Sequence, residues 1–194
     1  MNLYNEALRR FTRIYSKVQR SRLAESTAVT LATADSQGRP SARVVLLKGF
    51  DERGFVFYTN LKSRKGSELV KNPHAALCFY WDPLDDQIRV EGKVRLVSDK
   101  EADAYWRTRP LQSQIGAWAS QQSHVLSRRA KLLLELQKIK ARYRGKPIPR
   151  LPHWSGFRVV PDRIEFLKRR LFRLHERIIY KKSKGKWTRR LLYP

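Results

Sequence analysis

The chain has 194 residues, 41% of them hydrophobic and 11% aromatic, with 42 Lys+Arg against 17 Asp+Glu and a formal charge of +25; this supports one packed core and excludes a disordered chain. No apolar run approaches the ~18 residues that span a bilayer and no signal region precedes a cleavage site, so a cytoplasmic protein is expected. A single cysteine, Cys78, excludes an intramolecular disulfide and a cysteine-based zinc cluster.

Apolar residues from Leu3 to Val18 recur at three- and four-residue spacing, which predicts an amphipathic helix over residues 3–20. The period then changes to short β-rich runs at Thr27 to Thr33, Ser41 to Lys48 and Phe55 to Thr59. The clusters Asp35-Ser36-Gln37-Gly38 and Asp51-Glu52-Arg53-Gly54 separate them as turns. A helix is predicted from Ser63 to Lys71, halted at Asn72-Pro73, with strands at Ala75 to Tyr80 and Gln87 to Val97. Ser98 and Glu101 form a capping box for a helix through Arg107, stopped by Pro110, and a longer helix is predicted from Ser123 to Tyr143. Strands at Gly156 to Val160, Arg163 to Leu167, Arg173 to Tyr180 and Trp187 to Tyr193 complete the chain. Many short strands with a few helices predict a mainly β, α+β fold: a β-barrel with helical decoration.

The charge is uneven, because residues 121–194 hold 22 basic and 4 acidic side chains. Such a surface attracts polyanions. No helix-turn-helix, zinc-finger, RNP or KH pattern is present, so a solvated basic face is the favoured reading, and only non-specific nucleic-acid binding is expected.

No Gly-rich phosphate loop, G-x-G-x-x-G or G-x-S-x-G is present. The four histidines are scattered and predict no metal site, and most acids sit in turns or first helical turns. Three clusters of anion-type donors stand out instead. Arg43 and Lys48 bracket one strand, and Ser63-Arg64-Lys65 opens a helix after Tyr58-Thr59-Asn60, where an N-terminus, an Arg fork and hydroxyls can cradle a phosphate. By spacing alone an ordinary solvated helix start is the stronger reading. Arg43 and Lys48 also fall on opposite faces of a regular strand, so a shared ligand needs a bulge or a strand end. Tyr105 and Arg109, four apart, share a face if the helix continues, with Ser113 close behind. On a strand, Arg173, His175 and Arg177 share one face, and three potential cations side by side call for an anion or a π system over them.

The strings Arg43-Val44-Val45-Leu46-Leu47-Lys48, Phe55-Val56-Phe57-Tyr58-Thr59-Asn60, Ser63-Arg64-Lys65, Ser113-Gln114-Ile115-Gly116-Ala117-Trp118 and Arg173-Leu174-His175 occur in this order. Together they resemble the pyridoxamine 5′-phosphate oxidase family, from about residue 20 to Pro194. The resemblance implies a single FMN-binding split β-barrel domain over residues 1–194 and a homodimer with FMN at the subunit interface. It implies oxidation of pyridoxine or pyridoxamine 5′-phosphate to pyridoxal 5′-phosphate, with O2 reduced to H2O2. Carried over by motif, it assigns FMN to Arg43 through Lys48 (Val44, Val45, Leu46 and Leu47 included), Tyr58, Thr59, Arg64, Lys65, Gln87, Gln122, Ser123, Leu167 and Arg177. It assigns the substrate phosphate to Lys48, Tyr105, Arg109 and Ser113, and the substrate ring to Arg173 and His175 as catalytic residues.

The chain departs from the family pattern at Glu165-Phe166-Leu167-Lys168-Arg169, where Glu-Phe-Trp-Gln-Gly is usual; an aromatic flavin contact becomes Leu167. Trp154-Ser155-Gly156-Phe157 replaces Trp-Gly-Gly-Phe, and Leu191 stands at a usual arginine. The chain starts nearly at its first helix, without the basic leading segment of many family members. Loss of one contact worth about 1 kcal/mol weakens FMN a few-fold. The competing expectation is a split barrel that binds FMN, pyridoxal phosphate or nucleic acid with lost or altered oxidase activity.

Overall fold

The computed structural model describes residues 2–21 and 25–194; Met1 and residues 22–24 lie outside them. The first helix, α1 (Leu3–Arg20), is capped by the Asn2 side chain, which accepts from the Tyr4 N–H, and it buries Ala7, Phe11, Tyr15 and Val18. That stripe fills the inside of a curled antiparallel sheet. Phe11 meets Phe50, Phe55 and Phe79 edge-on at 4.7, 4.9 and 5.2 Å, an arrangement that adds roughly 0.5–1.5 kcal/mol per pair to simple burial.

The strands are β1 (Ala28–Ala34), β2 (Pro40–Leu46), β3 (Gly49–Asp51), β4 (Gly54–Asn60), β5 (His74–Trp81), β6 (Asp86–Leu96), β7 (Trp154–Lys168), β8 (Glu176–Ser183) and β9 (Lys186–Leu192). Helix α2 (Arg64–Lys71) follows β4, and α3 (Asp99–Thr108), α4 (Leu111–Ala119) and α5 (Arg129–Arg142) lie between β6 and β7. The order across the sheet is β2-β1-β5-β6-β7-β4-β3, with β8 also on β7 and β9 on β8. Just past β2, the Lys48 N–H donates to the Val56 carbonyl at 2.8 Å and brings the first strands back against β4.

One long strand organises this split. The first half of β7 pairs with β4 (Asn60 with Trp154) and the second half with β8 (Lys168 with Glu176). Two separate strands were expected here, at Gly156 to Val160 and Arg163 to Leu167. They fuse because the register shifts between Glu91 and Gly92, opposite Pro161, so the missing proline N–H breaks no regular ladder. Gly92 permits this, since a Cβ there would lie 2.0 Å from the Val160 carbonyl oxygen.

Two further expectations need correction. The helix predicted from Ser123 begins at Arg129, and α4, where no element was predicted, follows Pro110. Pro110 ends α3 but caps α4, a position that needs no N–H. The strand predicted from Arg173 begins only at Glu176. Phe172 and Arg173 adopt φ of 56° and 63°, left-handed conformations that no strand accommodates. Arg173, His175 and Arg177 therefore do not line one strand face.

Candidate active site

A cavity of about 680 Å3 opens where β2, the end of β4, the start of α2 and the α3–α4 corner meet. Its size suits a small organic ligand. Val44, Val45, Leu46, Lys48, Tyr58, Thr59, Lys65, Tyr105, Arg109, Ser113 and Gln122, all expected site residues, line it. Asn60, Pro110, Gly116, Ala117, Ser120 and Trp154 line it too and were not anticipated.

The helix start at its floor is buried, contrary to the solvated expectation. Ser63, fully buried, caps α2 through the Gly66 N–H and donates to the Asn60 carbonyl at 2.7 Å. Gly66 is required, because a Cβ there would fall 2.3 Å from the Leu61 carbonyl oxygen. Lys65 Nζ donates to Thr59 Oγ1 at 3.1 Å and lies 3.4 Å from Ser63 Oγ. Burial, then the nearby Arg43 charge, hold its ammonium below the usual lysine value. A half-buried ammonium beside a helix N-terminus and two hydroxyls is a seat for an anion. This donor set fits the phosphate end of FMN.

Arg43 does not line the cavity. Its guanidinium donates to Thr33 and Ser41 Oγ atoms at 2.5 Å each and lies 3.3 Å from Glu68. Arg64 Nε donates to the same carboxylate at 2.9 Å. Glu68, 5% exposed, thus organises both arginines, and the sequence reading missed it. Its spacing held the signal, since it is the single acid in a helix that opens Ser-Arg-Lys and stands four residues after Arg64. Burial raises its pKa, but bonds from Thr33, Ser41, Arg64 and Arg43 outweigh burial and hold it at about 2.

A folded pKa below the unfolded 4.5 makes this stabilisation complete above about pH 4.5 and lost as pH falls toward 2. Glu68→Gln is expected to cost about 3 kcal/mol at neutral pH and to flatten the acid limb. Urea unfolding at a series of pH values checks this. A variant as acid-sensitive as the parent would remove Glu68 from the account.

Lys48 reaches the cavity just past the end of β2 at Leu46, with Leu47 buried in the core, whereas Arg43 does not share the cavity with it. At the other wall, α3 stops at Thr108 and does not continue through Arg109, which is extended. Arg109 still joins Tyr105 at the cavity, held over the Trp154 and Trp106 rings at 4.7 and 5.0 Å. Tyr58 stacks on Tyr105 at 4.0 Å, and burial pushes its phenol up to about 12, so it stays protonated as a donor. Thr59 donates to Gln122 at 3.4 Å, whereas the neighbouring Ser123 is exposed and does not line the cavity.

The remaining expected residues lie elsewhere. Gln87, Leu167 and Arg177 are register partners in one row across β6, β7 and β8. Arg177 donates through Nε and Nη2 to Glu165 and through Nη1 to the Tyr193 carbonyl. Glu165, 2% exposed, also accepts from Arg89 at 2.5 Å. This buried carboxylate relieves the repulsion inferred for the region, and it too was missed. Arg173 is exposed just before β8, and His175 Nδ1 accepts from the Arg170 N–H at 3.1 Å, which places a ring proton on Nε2. This row lies at the far end of β7 from Trp154, roughly 40 Å away along the extended chain.

Residues 16–143 match the family model described as pyridoxamine 5′-phosphate oxidase. Residues 154–194 match the pyridoxine 5′-phosphate oxidase C-terminal dimerisation region. A pyridoxine/pyridoxamine 5′-phosphate oxidase from Myxococcus xanthus (strain DK1622) is 51% identical over 189 residues, 97% of this chain and 92% of that protein. The protein of the same name from Alkalilimnicola ehrlichii is 50% identical over 196 residues, all of both chains. The crystal structure of PhzG from Burkholderia lata 383, in complex with tetrahydrophenazine-1-carboxylic acid, matches with a TM-score of 0.92 at 32% identity, over 96% of this chain and 92% of that one. A pyridoxamine 5′-phosphate oxidase-related, FMN binding protein from Nostoc punctiforme shares the fold, with a TM-score of 0.76 at 20% identity over 96% and 97% of the two chains. The chain thus belongs to the pyridoxamine 5′-phosphate oxidase family of oxidoreductases.

Proposed function

We propose that the protein is an FMN-dependent oxidase of pyridoxine or pyridoxamine 5′-phosphate, working as a homodimer whose sites draw on both copies. The observation that carries the substrate class is Arg109: half-buried at the cavity wall, it pairs with no carboxylate among the described residues, and its Nη1 is buried without a partner. A buried cation in that state calls for an anion. With Lys48, Tyr105 and Ser113 around it, a phosphate monoester is the matching group.

Two electrons and two protons leave C4′ and its oxygen or nitrogen and pass to O2 as H2O2; the imine formed from the amine then takes up water and releases ammonia. FMN, when bound, supplies the two-electron acceptor. The chain supplies position. Lys65, Thr59 and the α2 N-terminus hold the cofactor's phosphate. Lys48, Tyr105, Arg109 and Ser113 hold the substrate's phosphate and so fix C4′. Arg173 and the Nε2–H of His175 come from the second copy to meet the ring and its phenolate oxygen, and Gln87, Leu167 and Arg177 come with them. Two observations support the division: the far placement of that row along β7, and the exposed Leu171, Phe172, Leu174, Leu191 and Tyr193 around it, an apolar surface suited to a partner.

The test is the visible spectrum of the FMN-loaded protein under anaerobic conditions, before and after adding pyridoxine 5′-phosphate. Bleaching, recovery in air and pyridoxal 5′-phosphate as product are expected. The similarity to PhzG motivates a second reading, oxidation of a partly reduced aromatic acid; flavin bleached by such an acid and by neither vitamer would favour it. Failure to take up FMN would favour a repurposed barrel.

A further inference from the structure

We propose that Trp154 is a positioning residue for phosphate recognition, holding Arg109 and Tyr105 in the geometry that selects a phosphorylated substrate. The inference rests on the reading of the cavity given above and deepens it. Trp154, the first residue of β7, is 5% exposed yet lines the cavity. Its ring lies nearly parallel to Tyr58 (5.3 Å, 8°) and to Tyr105 (6.1 Å, 5°), and it meets Trp106 edge-on at 4.9 Å. Its face also carries the Arg109 guanidinium at 4.7 Å.

Arg109 has few other restraints. It sits beyond the end of α3, its Nη2 donates to the Ser113 carbonyl at 3.2 Å, and no carboxylate pairs with it among the described residues. Aromatic faces attract a cation without neutralising it. Trp154 and Trp106 therefore keep the guanidinium in place and leave its charge available, whereas a carboxylate partner would consume it.

Trp154 is itself fixed. Arg150 donates to its carbonyl at 2.8 Å and to Asp99 and Asp103 of α3 at 2.7 and 2.5 Å. The start of β7 is thus tied to the helix that carries Tyr105, and Trp106 is anchored by its Nε1 donating to the Ile148 carbonyl at 2.8 Å. The ring, the guanidinium and the phenol are packed as one unit. Residues that bind phosphate directly touch the ligand; Trp154 acts through them.

The experiment compares binding of pyridoxal 5′-phosphate and of pyridoxal, which lacks the phosphate, to the FMN-loaded protein by quenching of protein fluorescence. Trp154→Leu is expected to weaken pyridoxal 5′-phosphate about tenfold and pyridoxal less than twofold, with FMN affinity unchanged. Trp154→Phe, which keeps an aromatic face, is expected to restore most of the loss and guards against a Leu variant that folds poorly. In an Arg109→Ala background the effect of Trp154→Leu should fall below about twofold. Equal weakening of both ligands, or an undiminished effect without Arg109, would overturn the positioning role. Parent protein that binds both ligands equally would instead overturn the phosphate reading of the cavity, and the inference with it.

Discussion

Arg173→Ala is expected to lower kcat/KM for pyridoxine 5′-phosphate by about two to three orders of magnitude and to leave FMN affinity within about threefold. Arg173 is exposed and forms no ion pair among the described residues, so its removal leaves no buried charge behind. Its φ of 63° is equally strained for alanine, so the substitution does not alter the backbone cost. What is lost, on the proposed division between copies, is the cation that the second copy brings to the cavity, whose lining within one chain does not include Arg173. Mixing Arg173→Ala with Lys48→Ala protein, unfolded and refolded together, makes the division between copies visible. A mixed dimer has one site with both residues intact, so a 1:1 mixture should recover about a quarter of parental activity. No recovery from two inactive parents would mean that one copy supplies both residues.

Legibility of the sequence followed the range of the interactions. Helix α1 and the hairpins were readable because apolar period and turn residues are local signals. The fusion of two predicted strands into β7 was not, because Pro161 reads locally as a break and only the register shift opposite Glu91 and Gly92, which leaves Asp162 without a partner, tolerates it. Arg173 and His175 were singled out through their motif, but the strand face assigned to them was wrong: two consecutive left-handed residues leave no pattern in side-chain chemistry. Glu68 and Glu165 were passed over for a related reason. Glu165 is an ordinary acid by position, and its arginines come from other strands; Glu68 has a local partner in Arg64, but its second arginine, Arg43, comes from β2. Trp154 read as part of a family string, whereas its stacking on Tyr58 and Tyr105 depends on the pairing of β4 with β7 and on the packing of α3.

Lys65→Ala is expected to weaken FMN about a hundredfold, more than either neighbouring arginine substitution. Three cations stand near the α2 N-terminus, but Arg43 and Arg64 share the Glu68 carboxylate. Lys65 forms no ion pair among the described residues and donates only to two neutral hydroxyls, which leave its charge uncompensated. Its depressed pKa shows that burial, with Arg43 adding to it, already disfavours the charge, so an arriving dianion recovers more there than at a solvated lysine. Arg64, with 65% of its side chain exposed, is screened by water, and Arg64→Ala is expected to cost FMN only about fivefold. Titration of FMN fluorescence against each variant measures the contrast directly. The reverse order, with Arg64 dominant and Lys65 dispensable, would seat the phosphate outside the helix end, on the solvent side of Glu68.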